Sequence, residues 1–305
     1  MSDGGHPAIQ MEQLTESYRF DHELAALLTK FQYHKDGISL TAAEPRPLPS
    51  NAYTAQTAGL EAVFGSASSL VFVCYDDRGH RMVNPIETML IETLTTAVHT
   101  TTPGQPDGPA GGTLAPLGEG PIIHRLPPSD DRTNIHPLSP RGSATEDGLA
   151  LSFGVVTPHN AQRGALETAL PEAVTANTVE KYQGGERDII AVSGTVSDPE
   201  FARREEEFIL NPRRLLVAIS RSRLLTIVVC STALFEVVPG ESERLEDGPV
   251  WARLFTQAVG RDPEPAWAGS LAAFTPGSAV EHADVPVRVY PSTVAAAGSN
   301  DGEQP

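Results

Sequence analysis

Side chains suited to binding phosphate are concentrated in residues 178–229. Six arginines fall within the twenty-one residues from Arg203 to Arg223. Guanidinium groups remain charged and bind phosphate oxygens through paired N–H donors. A Gly-Gly pair directly precedes Glu186, and glycines let the backbone turn sharply and approach a ligand. This combination predicts an anion-binding site built around a tight turn and several arginines.

Two apolar runs and one helix are expected to position these side chains. Residues 189–192 and 224–229 are rich in β-branched residues and almost free of polar ones, which is typical of strands covered on both faces in a parallel sheet. A helix is predicted from about residue 212 to residue 222, where Arg214 and Arg221 would share one face. The alternative for Arg221, taken alone, is a solvated charge on a helix surface.

These residues resemble two motifs of the superfamily 1 helicases, especially of their Upf-like branch. The segment TVEKYQGGERDIIAVS, which begins at Thr178, is similar to motif V, and NPRRLLVAISRSR, which begins at Asn211, is similar to motif VI. The resemblance implies that Arg221 is a catalytic arginine finger for the γ-phosphate of ATP. The nucleotide contacts that it implies are Glu186, Gly185 and Gln183.

An upstream segment contains a second candidate finger. The residues LTESYR resemble a family motif in which a leucine is followed by Tyr-Arg and then by a helix that ends near an aromatic residue, such as Tyr33. The resemblance implies that Arg19 makes a second contact with the γ-phosphate. Phe20 stands where the family usually has methionine. A structural role for Arg19 at a helix start is the alternative.

Three residues are predicted to contact nucleic acid. The resemblance implies that Thr178 lies near the nucleic-acid backbone, and Lys181 follows in the same motif. Thr157 opens the segment TPHNAQ, which is similar to Val-x-Thr-Pro-Tyr-x-x-Gln in the family, with His159 in place of tyrosine. A strand that runs into a helix leaves backbone N–H groups for a phosphate. Capping of that helix is the alternative role for Thr157.

The order of the elements predicts an α/β fold. Strands alternate with helices across residues 69–260, which fits one RecA-like domain of P-loop NTPase type, with a mostly parallel sheet and helices on both faces. The P-loop itself is lacking, because no Gly-x-x-x-x-Gly-Lys string occurs and none of the three lysines follows a glycine. A magnesium-binding role for Asp76 or Asp77 after the strand at 70–75 is therefore not expected. The segment from Asn84 to Glu87 is interpreted as a helix start.

The resemblance covers roughly residues 14–235 and corresponds to the second of two RecA-like domains. It implies the C-terminal motor domain of an ATP-dependent DNA or RNA helicase, as part of a split or truncated enzyme. ATP with Mg²⁺ would bind only in a composite site shared with a separately encoded P-loop half, so the chain is not expected to hydrolyse ATP alone. Single-stranded DNA or RNA is the other expected partner. The alternatives are a non-catalytic nucleic-acid-binding or adaptor module and a gene fragment without function.

The composition is strongly acidic. The net charge is -17, with 39 acidic residues against 22 basic ones, and only three of the basic residues are lysines. An evenly spread charge of this size would repel nucleic acid. Many carboxylates and few lysines suggest a halophilic source, whose salt would screen that repulsion.

The sequence also predicts where the protein resides and what it does not bind. It has no apolar run of about 18 residues and no secretory N-terminus, which predicts a cytoplasmic protein without a membrane partner. Cys74 and Cys230 lie in apolar runs and are expected to be buried free thiols, with a disulfide or metal pair as the remote alternative. The nine histidines are scattered, so no metal site is predicted.

Three stretches are expected to lack regular structure. Residues 1–13 are interpreted as a disordered leader. Residues 100–148 are predicted to form a flexible insertion, because residues 100–149 contain eight glycines and nine prolines. Residues 261–305 are rich in alanine, proline, glycine and acids and are predicted to form a disordered tail. The helicase-like domain would then span residues 14–260.

Overall fold

The computed structural model describes residues 16–17, 20–42, 47–100, 144–145, 148–182, 185–240, 248–277 and 281–294. The predicted leader and most of the predicted insertion lie outside this part of the chain. The α-helices are α1 His22–Phe31, α2 Ala58–Phe64, α3 Pro85–Thr96, α4 Asn160–Ala169, α5 Pro199–Arg204, α6 Glu206–Ile209, α7 Pro212–Ile219, α8 Val250–Val259 and α9 Leu271–Phe274. Short 3-10 helices span Tyr33–Asp36, Ser50–Ala52 and Thr232–Glu236. No helix in the described ranges combines the length and the apolar character needed to cross a membrane.

The β-strands build one large sheet and two short pairs. In chain order they are β1 Glu16–Ser17, β2 Thr41–Ala42, β3 Leu70–Tyr75, β4 Ala144–Thr145, β5 Gly148–Leu149, β6 Phe153–Thr157, β7 Thr175–Thr178, β8 Arg187–Ser193, β9 Ser222–Ser231, β10 Trp267–Ser270 and β11 Pro286–Pro291. The large sheet has seven strands in the order β7-β6-β8-β9-β3-β11-β10. The first five are parallel, β11 is antiparallel to β3, and β10 is antiparallel to β11.

Helices cover both faces of this sheet. Along β3, successive side chains alternate between two apolar layers: Phe72 and Cys74 pack with α1, α7 and α8, whereas Val71 and Val73 pack with α2, α3, α4 and α9. Each fully buried side chain of this kind contributes roughly 1.5–3 kcal/mol. The predicted α/β architecture, a single RecA-like domain with a mostly parallel sheet, is confirmed. Because helices cover both faces of the sheet, the polar side chains that could bind a ligand lie at the ends of the strands.

The prediction of a disordered tail at residues 261–305 is wrong for its described part. Strands β10 and β11 extend the sheet, and α9 packs beneath them. Val287 pairs with Tyr75 and Val289 with Val73, and both valines are fully buried. Their alternation with Arg288 is a strand pattern. This strand pattern covers only a few residues, and the proline- and alanine-rich composition around it led to the prediction of disorder.

The two cysteines are neighbours on adjacent parallel strands. Cys74 of β3 and Cys230 of β9 are register partners, and both are fully buried free thiols, which confirms that prediction. A hydrogen bond with the Cys74 thiol, together with burial, raises the pKa of Cys230 well above its ordinary value. A thiol in this setting is inert toward reagents in solution.

Candidate functional site

A charged cluster lies at the amino ends of β8 and β9. Glu186 and Arg223 form an ion pair in which Nε of Arg223 donates to Oε1 of Glu186 at 3.1 Å. Nη1 of Arg223 also lies 3.7 Å from Oδ1 of Asp188. The main-chain N–H and the hydroxyl of Ser152 both donate to Oδ2 of Asp188, at 2.9 and 2.6 Å. The side chains of Arg223 and Glu186 are each 35% exposed, so the cluster is held in place and still reaches solvent.

Arg221 lies beside this cluster. The main-chain N–H of Arg187, the first residue of β8, donates to the carbonyl of Arg221 at 3.2 Å. Nε of Arg221 donates to the carbonyl of Val217 in α7 at 3.1 Å. The segments that resemble motifs V and VI are therefore joined through their main chains, and the Arg221 guanidinium is tied to the last turn of a packed helix.

The helix that carries motif VI is shorter than predicted. Asn211 caps its start, since its Oδ1 accepts from the N–H of Arg213 at 3.0 Å. α7 ends at Ile219 instead of residue 222, because the hydroxyl of Thr226 donates to the Ile219 carbonyl at 2.9 Å and β9 begins at once. Arg221 therefore lies in the turn after the helix. The prediction that it shares a helical face with Arg214 is wrong.

The motif V turn is anchored by a tyrosine. The described residues of this turn, 179–182 and 185–186, lie between the carboxyl end of β7 and the amino end of β8, and β6 separates these two strands in the sheet. Tyr182 packs there against Gly154 of β6, where a Cβ atom would overlap the tyrosine hydroxyl and lie 2.9 Å from Cζ. The N–H of Gly185 donates to the Tyr182 carbonyl at 3.0 Å. Gly154 is therefore the glycine in this region that the packing requires.

The predicted nucleic-acid residues lie at the opposite end of the sheet. Thr157 and Thr178 are register partners at the carboxyl ends of β6 and β7, and they are only 0% and 4% exposed. Thr157 does not cap α4, whose N-cap is His159. Lys181 is exposed. The nucleotide candidates Arg19 and Gln183 lie outside the described residues.

A buried polar network, which the sequence interpretation missed, lies beneath these carboxyl ends. Glu87 of α3 is fully buried. Its Oε1 accepts from the Tyr75 hydroxyl at 2.8 Å, and its Oε2 accepts from the Ser193 hydroxyl and from the N–H of Thr195 at 2.9 Å. The hydroxyl of Thr195 lies 2.9 Å from those of both Ser193 and Thr157. A continuous chain of hydroxyl groups thus connects Glu87 to Thr157.

This setting changes the acidity of Glu87. Burial raises its pKa from 4.5 to about 7, although the bonds from Ser193, Thr195 and Tyr75 oppose the rise. Thr195 also has a φ of 63°, a left-handed conformation that is unusual for a β-branched residue. The signal in the sequence was the Asn84-x-x-Glu87 segment, interpreted only as a helix start. Its partner Ser193 is 106 residues away, so no local pattern connects the two.

The two acids that follow β3 accept hydrogen bonds from protein donors. Asp76 accepts from the hydroxyl of Thr232 at 2.7 Å and from Nη1 of Arg288 at 3.0 Å. Asp77 accepts from the N–H of Gly79 at 3.1 Å and binds Nδ1 of His80 at 2.8 Å. Burial raises the pKa of Asp77, but hydrogen bonds from Ser197, His80 and Gly79 outweigh it and lower the pKa overall. Within the described ranges, no group of three or more His, Cys, Asp or Glu side chains could hold a metal ion.

Comparisons with known proteins agree with the motifs. Residues 141–233, which include both motif segments, match a family described as an AAA domain. The chain is 31% identical over 88 residues to the DNA replication ATP-dependent helicase/nuclease JHS1 of Arabidopsis thaliana, covering 28% of this chain and 7% of that protein. It is 27% identical over 133 residues to the putative helicase MOV-10 of Gallus gallus, covering 38% of this chain and 13% of that protein.

A third relative is the DNA polymerase alpha-associated DNA helicase A of Saccharomyces cerevisiae. It is 35% identical over 83 residues, which cover 26% of this chain and 12% of that protein. The matched segments thus span between 7% and 13% of these relatives' own length. The resemblance to Upf-like superfamily 1 helicases is confirmed, and the chain contains a superfamily 1 helicase-like domain.

Proposed function

We propose that this domain is the C-terminal motor domain of an ATP-dependent DNA or RNA helicase of superfamily 1. It contributes Arg221, together with Arg19 outside the described residues, to a nucleotide site whose P-loop belongs to another polypeptide. The observation that carries the proposal is the junction of motifs V and VI. The Arg187 N–H binds the Arg221 carbonyl at 3.2 Å, and Arg223 pairs with Glu186.

The hydrogen-bond donors at this junction of motifs V and VI suit one side of a nucleotide-binding site. Arg221 and Arg223 bring two guanidinium groups to one end of the sheet, where planar N–H donors match phosphate oxygens. ATP with Mg²⁺, when bound, supplies the phosphoanhydride bond that is broken. Arg221 stabilises the charge on the transferred phosphoryl group, and Glu186 holds Arg223 in a fixed orientation.

The phosphate-binding side of the nucleotide site must be formed by residues outside this chain, because its 305 residues contain no Gly-x-x-x-x-Gly-Lys string. Without that loop the phosphates lack a backbone cradle and its lysine. We therefore propose a composite site, with a P-loop polypeptide as the partner. Single-stranded DNA or RNA would cross the carboxyl end of the sheet near Lys181. Thr157 and Thr178 are buried there, so direct contact with a phosphate requires this end to open.

The test is reconstitution of ATPase activity at high salt. The chain would be used to recover a P-loop partner from its source organism, and the complex would be assayed with and without single-stranded nucleic acid. Arg221→Ala should lower kcat by about a thousandfold or more, as expected for an arginine finger. Arg204→Ala removes the same charge from the exposed end of α5 and should change kcat less than threefold. Equal activity of the two variants would instead favour a non-catalytic binding or adaptor module.

A further inference from the structure

We propose that Phe208 and Arg214 form a stacking site for one base of a single-stranded nucleic acid at the carboxyl end of the sheet. The inference rests on the proposed function and adds the point of base contact to it. The occupant is a nucleobase with its adjoining phosphate, in DNA or in RNA.

The first observation is the exposure of Phe208. In the short helix α6 the side chains of Glu206 and Ile209 are buried, which turns Phe208 outward, and it is 42% exposed. The other large exposed apolar side chains among the described residues, Met82, Val83 and Val238, are not aromatic. A single exposed apolar side chain is common on protein surfaces. The argument therefore depends on what surrounds the ring.

The second observation is the guanidinium that lies over this ring. The Cζ atom of Arg214 is 4.4 Å from the Phe208 ring centroid, which is a cation–π contact. An ion pair with Glu180 holds Arg214 in place. Glu180 belongs to the motif V turn, so the contact connects that turn to α6 and α7. A flat, preorganised surface of this kind is what a base stacks on, because every base has an aromatic face.

The third observation is an adjacent small cavity of about 30 Å³ that opens to solvent. Its lining includes Phe208 and Arg214, and its apolar walls include Val179, Leu215 and Trp251. Thr157 and Pro158 also line it. The cavity is too small to hold a base, but it connects the aromatic ring to the two segments predicted to meet nucleic acid, so a base stacked on Phe208 would lie beside them.

The charges near this cavity favour a nucleic acid over a peptide. Lys181 is exposed next to Glu180, and Arg213 is exposed next to Arg214. These two exposed basic side chains contrast with the net charge of the whole chain, which is -17. Glu180 and Glu207 are the opposing exposed charges near Phe208. Lysine and arginine around an aromatic ring can bind the phosphate that follows a stacked base.

A binding assay with a matched pair of strands tests the proposal. Fluorescence anisotropy would measure the Kd of the full chain for a labelled 12-nucleotide thymidine strand and for the same strand with every base replaced by an abasic tetrahydrofuran. Phe208→Ala should weaken binding of the thymidine strand by about five- to 150-fold, the range found for loss of one base–aromatic stack. Phe208→Tyr keeps the ring and should bind within twofold of the wild type.

Two further readouts separate stacking from other causes. Phe208→Ala removes no charge and should leave the slope of log Kd against log salt unchanged, whereas Arg213→Ala should reduce that slope by about 0.7. The abasic strand should bind the wild type and Phe208→Ala equally, since it has no base to stack.

Several results would overturn the proposal. Equal binding of the thymidine strand by Phe208→Ala and the wild type would do so, and so would an equal loss on the abasic strand. A loss confined to association with the P-loop polypeptide would assign this surface to a protein partner instead. If the wild type bound neither strand under any salt condition, the proposed helicase function would fail together with the stacking site.

Discussion

The contact between Gly154 and Tyr182 allows a stability prediction with an internal control. Gly154→Ala would place a methyl group 2.9 Å from Cζ of Tyr182 and 3.0 Å from Cγ of Arg187, and would overlap the tyrosine hydroxyl. Tyr182 is only 4% exposed, so it cannot swing into solvent without opening the motif V turn. The control is Gly164→Ala on α4, where an added Cβ atom meets nothing within 4 Å.

The expected magnitude follows from two contributions. Overpacking of a well-filled site costs roughly 1–3 kcal/mol. Displacement of Tyr182 also breaks its hydroxyl contact with Oγ1 of Thr175 at 3.3 Å, which is worth about 0.5–1 kcal/mol. Gly154→Ala should therefore lower the free energy of unfolding by about 1.5–4 kcal/mol. Gly164→Ala should raise it by about 0.5–1 kcal/mol, because alanine is the better helix former.

Urea unfolding at constant high salt measures both effects through the midpoint and the slope. Tyr182→Phe in the Gly154→Ala background removes the overlapping hydroxyl and should recover part of the loss, because the contact at Cζ remains. The reasoning about this turn would be refuted if Gly154→Ala were as stable as the wild type. It would also be refuted if Gly164→Ala lost as much stability as Gly154→Ala.

Two other predictions concern pH and salt. The pKa of Glu87 is about 7 in the folded protein and about 4.5 when unfolded, so the folded state binds a proton more tightly between these values and stability falls as pH rises through them. This difference in pKa corresponds to about 3 kcal/mol of unfolding free energy. Glu87→Gln should therefore reduce the change in urea midpoint between pH 5 and pH 8. Equal changes in the midpoints of the variant and the wild type would contradict this prediction. If the acidic composition is an adaptation to salt, the midpoint should rise between 0.2 and 2 M KCl as repulsion is screened, and an unchanged midpoint would contradict the halophilic hypothesis.

The parts of the fold that the sequence predicted are those with strong local patterns. β3, β8 and β9 follow from unbroken apolar runs rich in β-branched residues, and the helix start predicted at Asn84–Glu87 is the start of α3, which Asn84 caps. The end of α7 depends on Thr226, which lies seven residues beyond Ile219. β11 was missed because a six-residue strand carries little signal within a proline- and alanine-rich region.

The candidate site was predictable in its residues but not in its contacts. The motif resemblance indicated Glu186 and Arg221, because their types and order are local features of the sequence. The ion pair between Glu186 and Arg223 joins residues 37 positions apart, and the network around Glu87 joins the four separate elements α3, β3, β6 and β8. Such contacts are set by the packing of the sheet, so only the folded structure reveals them.

The most direct test of the central claim is whether a transition-state mimic strengthens the contact between this chain and the proposed P-loop partner. Sedimentation velocity would measure the Kd of the two polypeptides with ADP, Mg²⁺ and aluminium fluoride, and again without them. If Arg221 binds the transferred phosphoryl group across a composite site, the mimic should tighten association at least tenfold for the wild type and leave Arg221→Ala unchanged. Equal association with and without the mimic, or equal tightening of the wild type and Arg221→Ala, would contradict the account.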